Sequence, residues 1–238
     1  MKPIYDRTEK LIGSDGMEKL RSASVFIAGL GGVGGYVCEA LARAGVGHLG
    51  LCDFDTVDPT NLNRQILALE NTVGRQKTEV ALERVRSINP DCRVEVFPFR
   101  LNEETLRQVH LPDWSFAADA IDDVPAKLLL IESCCNNGVP VISSMGTGNK
   151  LDPSCYRIVP IEKTEYDPLA RVMRRELKAR GIKGVPVLYS PEAPAGAVPR
   201  GEAMPTVSYM PAVAGLMIAG YVIREIAGKH RMQDSANI

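Results

Sequence analysis

Val25-Phe26-Ile27-Ala28 runs directly into Gly29-Leu30-Gly31-Gly32-Val33-Gly34-Gly35. A short β-branched and aromatic run, then glycines, then an amphipathic stretch reads as strand, tight loop and helix. Gly29, Gly31 and Gly34 keep the G-x-G-x-x-G spacing. Glycines there permit the turn and a close backbone approach, and the helix N-terminus offers free N–H groups to a phosphate. A glycine turn with no ligand is the competing reading, and the strand–loop–helix context disfavours it. Asp53, ending the next strand, can accept hydrogen bonds from ribose hydroxyls; a carboxylate that merely caps a turn would look the same. The pair predicts an adenine nucleotide without separating ATP from a nicotinamide cofactor.

Working outward, β-like runs alternate with amphipathic helices. Strands are predicted at 24–28, 48–52, 93–97, 116–120 and 140–144, and helices at 33–44, 75–88, 103–109 and 125–137, with a short helix around 15–21. After Ser144 the rhythm changes to strands at 155–160 and 185–189 and a helix at 169–180. The stretch 190–205 holds Pro191, Pro194, Pro199 and Pro205 among Gly and Ala, a loop with the character of a mobile cover. A final apolar helix follows Pro211. The expected fold class is α/β: a Rossmann-like, doubly wound, mainly parallel sheet with helices on both faces, plus a C-terminal extension. Residues 1–238 are read as one domain, with 1–150 the nucleotide-binding half and 151–238 a substrate- and dimer-facing extension.

Lys+Arg is 28 and Asp+Glu 29, so the chain is no globally basic nucleic-acid coat, and any RNA contact needs a local patch. Of the six cysteines, Cys38, Cys134 and Cys135 fall on predicted helices, Cys52 and Cys155 on strands and Cys92 before one. None forms a Cys-x-x-Cys pair, so no zinc is expected, and each reads as a small buried hydrophobe. Reduced thiols and a polar, charged opening from Met1 to Asp6 predict a cytoplasmic protein. About 15 apolar residues between Pro211 and Arg224 fall short of a span, so a buried helix at a dimer interface is expected. Peripheral membrane contact is the lesser alternative.

The segment from Asp53 to Gln65, Asp-Phe-Asp-Thr-Val-Asp-Pro-Thr-Asn-Leu-Asn-Arg-Gln, is acidic and then basic, and Arg75 and Lys77 follow at a helix start. Cations there oppose the helix dipole, which makes sense if an anion lies between them and the glycine loop. An enzyme that expels pyrophosphate needs such charge; one that transfers hydride does not. Asp122, just past the fourth strand, is placed to hold Mg²⁺ on phosphate oxygens. Asp119, inside the same apolar run, needs a buried partner, expected as a structural hydrogen bond to a neighbouring loop.

These motifs, with Gly74-Arg75-x-Lys77 and Asp119-x-x-Asp122-Asp123, together resemble the ThiF/MoeB/ubiquitin-activating-enzyme superfamily, whose members adenylate carboxylates. The resemblance implies ATP and Mg²⁺ as cofactors. Its nucleotide set would be Gly29, Gly31, Gly32, Gly34, Asp53, Asp55, Asn61, Arg64, Gln65, Lys77, Asp122 and Asp123. Arg64, Lys77 and Asp122 would be the catalytic residues, with Asp122 on the metal.

In the second half, Asp152-Pro153, Thr164-x-x-Asp167-Pro168-Leu169-Ala170-Arg171 and Ser190-Pro191-Glu192 are similar to the tRNA threonylcarbamoyladenosine dehydratase branch, as is Arg7-x-x-Lys10-Leu11-Ile12-Gly13. That branch closes a ring within its own substrate, so it needs no enzyme thiol. The resemblance implies a tRNA carrying threonylcarbamoyladenosine as the partner. No residue identifies itself as general base; Glu192 is a candidate. Arg171, Arg174, Arg175 and Lys178 recur at i, i+3, i+4 and i+7, a cationic helix face facing one acid, Glu176. It reads either as an RNA contact or as a solvated face. Two other functions stay open. One is an adenylyltransferase acting on the C-terminal glycine of a ubiquitin-like sulfur carrier, with a sulfur-transfer protein as partner. The other is a non-adenylating Rossmann nucleotide-binding protein.

Overall fold

The computed structural model describes residues 3–199 and 201–229. Met1 and Lys2 of the opening segment and Arg200 of the proline-rich loop lie outside them. Seven strands, β1 (Ser24–Ala28), β2 (His48–Cys52), β3 (Arg93–Phe97), β4 (Phe116–Asp119), β5 (Val141–Ser144), β6 (Arg157–Pro160) and β7 (Pro186–Tyr189), form one sheet. Its order is β3-β2-β1-β4-β5-β7-β6, and every pair is parallel except β6 against β7. The strands of the second half thus continue the sheet begun by the first.

Side chains alternate across β1. Val25 and Ile27 enter the core beneath α1 (Asp6–Ser22), α2 (Gly34–Ala44), α3 (Lys77–Ile88) and α7 (Tyr209–Ala227). Phe26 and Ala28 enter the opposite core with α5 (Val124–Asn136) and α6 (Pro168–Ala179). A strand buried on both faces is apolar along its buried length, as residues 25–28 are, and the hydroxyl of Ser24 at its start is satisfied by Asp113 O and Ser115 Oγ. The short α4 (Glu103–Leu106) completes the helices. The helix expected at 103–109 is α4 followed by a 3₁₀ turn, Arg107–Val109.

Several expectations need correction. The N-terminal helix is longer, Asp6–Ser22, with a kink at Gly13 (φ 82°). Cys155 sits in the 3₁₀ turn Pro153–Cys155, not on a strand, because Asp152 caps that turn through Ser154 N–H. Cys135 is exposed and Cys155 half-buried, so four of the six cysteines, not all, are core residues. The last helix is 19 residues long and starts before Pro211; proline is tolerated there because first-turn N–H groups lack intrahelical acceptors. In length and composition α7 could cross a membrane, yet half of its apolar window is buried against α1, α2 and the sheet.

Helix α7 lies behind the glycine loop. A Cβ on Gly32 would stand 2.9 Å from Pro211 Cβ, and one on Gly215 would be 2.8 Å from Tyr36 Cβ. Glycine at these places is what lets α7 approach the glycine loop and α2.

Candidate active site

The strand order reverses direction between β1 and β4, and a ligand crevice opens beyond the carboxyl ends of such a pair. A cavity of about 880 Å³ opens there, lined by Gly29, Gly31, Gly32 and Val33 after β1 and by Ala120 to Asp123 after β4. Gly29 has φ 87°, and a Cβ on it would lie 2.6 Å from Ala120 O, so only glycine lets the two loops touch. Gly31 faces open space: the nearest atom to a Cβ there is Gln65 Nε2 at 3.8 Å. Gly34 does not line the cavity, contrary to expectation. An added side chain there would collide with Gly29 O, so it serves to close the turn under α2.

Asp53 is buried at the end of β2, where its Oδ2 accepts from Leu30 N–H at 2.6 Å and its Oδ1 from Asp55 N–H at 2.8 Å. Burial pushes its carboxyl upward from the ordinary value, against the pull of Lys77 and the two backbone donors. Asp53 thus fastens the glycine loop to β2, and it also lines the cavity.

The segment after β2 folds back on the start of α3. Val57 N–H donates to Arg75 O, Gly74 N–H to Val57 O and Lys77 N–H to Asp55 O. That pairing swings the buried Lys77 into the cavity wall, where its Nζ meets Asp55 Oδ2 at 3.1 Å. Arg64, held by Thr60 O and Asn63 Oδ1, also lines the wall, as do Asn61 and Gln65. Gln65 Oε1 is buried with no protein partner, and the Nε2 of the same amide is the atom nearest the open face of Gly31. Arg75 does not join them. It precedes α3, which starts at Lys77, and turns outward to Glu83 Oε1 on that helix at 2.6 Å, so that carboxylate rather than a phosphate neutralises it.

Asp122 is exposed and lines the cavity, whereas Asp123 also caps α5 through Ala126 N–H. No group of three or more His, Cys, Asp or Glu able to hold a metal occurs among the described residues. A lone exposed carboxylate in the wall still fits Mg²⁺, an ion that ordinarily keeps several waters and takes only one or two protein carboxylates.

Asp119 is fully buried against an equally buried Lys127, Oδ2 to Nζ 2.8 Å. Lys127 Nζ also donates to Ser143 Oγ and Ser144 O, and Asp119 accepts from Ile121 N–H and Ser143 Oγ. The expected structural hydrogen bond is present, to Ile121 in the loop after β4, but the main partner is a lysine that the sequence reading passed over.

Other wall residues were also missed. Arg100 lies 4.1 Å over the Phe54 ring and within 4.0 Å of Asp123. Residues 144–150, Tyr166, Asp167 and Leu169 form the far wall. Glu192, the candidate base, does not line the cavity. Its carboxylate accepts from Leu151 and Asp152 N–H and so ties down the proline-rich loop. Asn149 ties the same loop by bonds with Ala195, Gly196 and Pro205.

The expected cationic face of α6 is only partly free. Arg174 is taken by Thr164 O and Oγ1 at 2.5 and 2.6 Å, and Arg175 by Glu176 at 2.8 Å. Arg171 and Lys178 are exposed. Cys52 lines the cavity, but burial pushes its thiol up to about 12.

The model of the ThiF family matches residues 5–237. The chain belongs to the ThiF family. This ThiF-family chain is 40% identical to the tRNA threonylcarbamoyladenosine dehydratase of Bacillus subtilis (strain 168), over 93% of this chain and 94% of that one. It is similar to the solved structure of E. coli tRNA N6-threonylcarbamoyladenosine dehydratase, TcdA, in complex with ATP. The TM-score is 0.87 at 34% identity, with 94% of each chain covered. The sulfur carrier protein adenylyltransferase of Thermus thermophilus is 30% identical, over 91% of this chain and 74% of that one.

Proposed function

We propose that the chain is an ATP-dependent tRNA threonylcarbamoyladenosine dehydratase. One observation carries the reading. A single cavity joins the glycine loop, Arg64, Lys77 and Asp122 to a far wall built from residues 144–150 and from Tyr166, Asp167 and Leu169. Nucleotide and acyl substrate can therefore meet in it. The identity to relatives named for this activity supports the same substrate.

The chemistry follows from charge. The threonyl carboxylate attacks the α-phosphorus of ATP; an O–P bond forms and pyrophosphate leaves. Backbone N–H groups of the glycine loop, Arg64 and Lys77 would take up the negative charge that develops. Asp122 would hold Mg²⁺, which when bound shields the phosphate oxygens. A ureido group of the same substrate then attacks the activated carbonyl carbon, its N–H proton is lost and AMP departs with the former carboxylate oxygen. Both reactants belong to one molecule, so orientation supplies much of the barrier reduction. An enzyme thiol is unnecessary, which agrees with Cys52, the cysteine in the wall, being held protonated.

The nucleotide set is Gly29, Gly31, Gly32, Asp53, Asp55, Asn61, Arg64, Gln65, Lys77, Asp122 and Asp123. Arg171 and Lys178 of α6, with Arg175 in exchange for Glu176, would meet RNA phosphates. The outer side of α7, with Leu216 half-exposed, is proposed as the surface of a homodimer. A tRNA substrate agrees with a cytoplasmic enzyme, with contact to a membrane surface through α7 as the lesser alternative. A sulfur-transfer partner belongs to the alternative reading, in which the adenylate is passed to a carrier protein.

The deciding experiment is nucleoside mass spectrometry of threonylcarbamoylated tRNA incubated with the protein, ATP and Mg²⁺. The expected product has lost one water, with AMP and pyrophosphate in equal amounts. Unchanged nucleoside, with adenylate forming instead on a sulfur-carrier protein, would replace this function with the alternative.

A further inference from the structure

Tyr166 combines two unusual properties. Its backbone lies in the left-handed region at φ 54°, and its side chain is 79% exposed. A bulky residue enters that region only under strain, and strain persists where the surrounding chain imposes it. Here the imposition is visible on both sides. Asp167 N–H donates back to Glu165 O at 2.7 Å, closing a three-residue turn with Tyr166 at its apex. Thr164, before it, is buried and bonded to Ile161 O and Arg174. Asp167, after it, is buried and caps α6 through Ala170 N–H at 2.9 Å. Glycine or asparagine would hold this turn with less strain. The fold gains little packing from the side chain, which is largely in solvent yet lines the cavity that holds Gly31, Lys77 and Asp122.

The surroundings suit a nucleobase. Met204, another exposed side chain, lines the same cavity, and Arg171 is exposed on the first turn of α6. A base whose substituent must enter a cavity has to leave its own stack. Proteins receive such bases on aromatic faces, with cations on the backbone nearby.

We propose that Tyr166 is the stacking platform for the modified adenine ring, holding it at the mouth while its threonyl carboxyl reaches the ATP phosphates. The proposal rests on the tRNA reading above and deepens it. A short urea linker joins threonine to adenine, so the ring must be received by a wall of the same cavity that holds the α-phosphorus, and Tyr166 lines that cavity. Tyr166 is the exposed aromatic ring of the far wall. Its rigid turn keeps that surface in place before RNA arrives.

The test compares Tyr166→Ala, Tyr166→Asn and Tyr166→Phe for affinity to threonylcarbamoylated tRNA at fixed salt, with ATP affinity measured by calorimetry. Tyr166→Asn suits the left-handed turn, so its folding is secure even if Tyr166→Ala proves unstable. Loss of the ring should weaken tRNA binding by about tenfold. Tyr166→Phe should bind as the wild type does, and ATP affinity should not change in any of the three. Wild-type tRNA affinity in the Ala and Asn variants would overturn the proposal. So would equal weakening in Tyr166→Phe, which would make the hydroxyl rather than the ring the contact. Failure of the underlying reading looks different: the wild-type protein itself would neither bind nor dehydrate the tRNA.

Discussion

Lys127→Met tests the ion pair on which the base of the site is built. Lys127 and Asp119 have no exposed side-chain surface, and they meet at 2.8 Å. Methionine fills a similar volume but removes a charge and three donated hydrogen bonds, to Asp119, Ser143 and Ser144. Asp119 then keeps only Ser143 Oγ and Ile121 N–H, too little for a carboxylate shut away from water. Breaking a buried pair on one side costs about 3–5 kcal/mol, a large share of the roughly 5–15 kcal/mol that keeps a domain folded. Removing both charges together, as Asp119→Leu with Lys127→Met, leaves no unpaired buried charge, only neutral groups at Ile121, Ser143 and Ser144 short of a partner, so the double variant should be more stable than Lys127→Met alone. Urea unfolding followed by circular dichroism gives all the values needed. A loss below about 1 kcal/mol in Lys127→Met would refute the reasoning, because exposed pairs behave that way. Asp122 lies three residues beyond Asp119, so ATP affinity should fall along with stability in the single variant.

Four further outcomes are expected. Lys77→Ala should cut pyrophosphate release by about a hundredfold or more yet leave the fold intact, since its partner Asp55 is half-exposed to water; a pyrophosphate assay and circular dichroism check both parts. Gly29→Ala should cost about 1–3 kcal/mol in urea unfolding and abolish ATP binding, because φ 87° and Ala120 O at 2.6 Å leave no place for the methyl group. Alkaline pH should destabilise the fold: burial pushes Cys92 up to about 11 and Cys134 and Cys52 to about 12 from an ordinary 9. Above pH 9 the unfolded chain therefore sheds thiol protons that the native chain keeps, and the urea midpoint should fall as pH rises from 9 to 11. Arg171→Glu with Lys178→Glu should weaken tRNA binding and flatten its log–log salt dependence by about one unit per lost phosphate contact, with ATP affinity unchanged; salt titrations of equal slope would make α6 a solvated face.

The nucleotide half was legible because its signals are local. The residues of β1, its glycine loop and the Asp53 that ends β2 stand close together in the chain, and each obeys a spacing rule. The departures share one cause: the deciding partner is distant or lies on another face. Arg75 was assigned to a phosphate from its place at a helix start, but Glu83, farther along that helix, takes it. Arg174 was counted on a cationic stripe by periodicity, yet Thr164 in the preceding turn binds it. Lys127 left a trace that could have been used. It is the lone charge in the run Val124-Pro-Ala-Lys-Leu-Leu-Leu-Ile, just as Asp119 is in Phe116-Ala-Ala-Asp-Ala-Ile, and two such misfits invite pairing. Tyr166 left none, since neither composition nor spacing reveals a left-handed φ.

The strand order has a consequence for how the chain is made. In sequence β6 precedes β7, but in the sheet it lies outside it and touches no other strand. A growing chain that has released residues 157–160 cannot yet seat them; they wait for 186–189. Until then β5 presents a bare edge, and one face of the sheet lacks α7, the last helix to be synthesised. The first five strands can order themselves as they emerge, whereas closure of the edge and of that core falls in the final stretch of synthesis. Open strand edges are where chains mispair, so the interval between residues 144 and 227 is when this sheet is most open to wrong pairing. Ribosome-bound chains halted at residue 180 should be more sensitive to protease than released full-length protein.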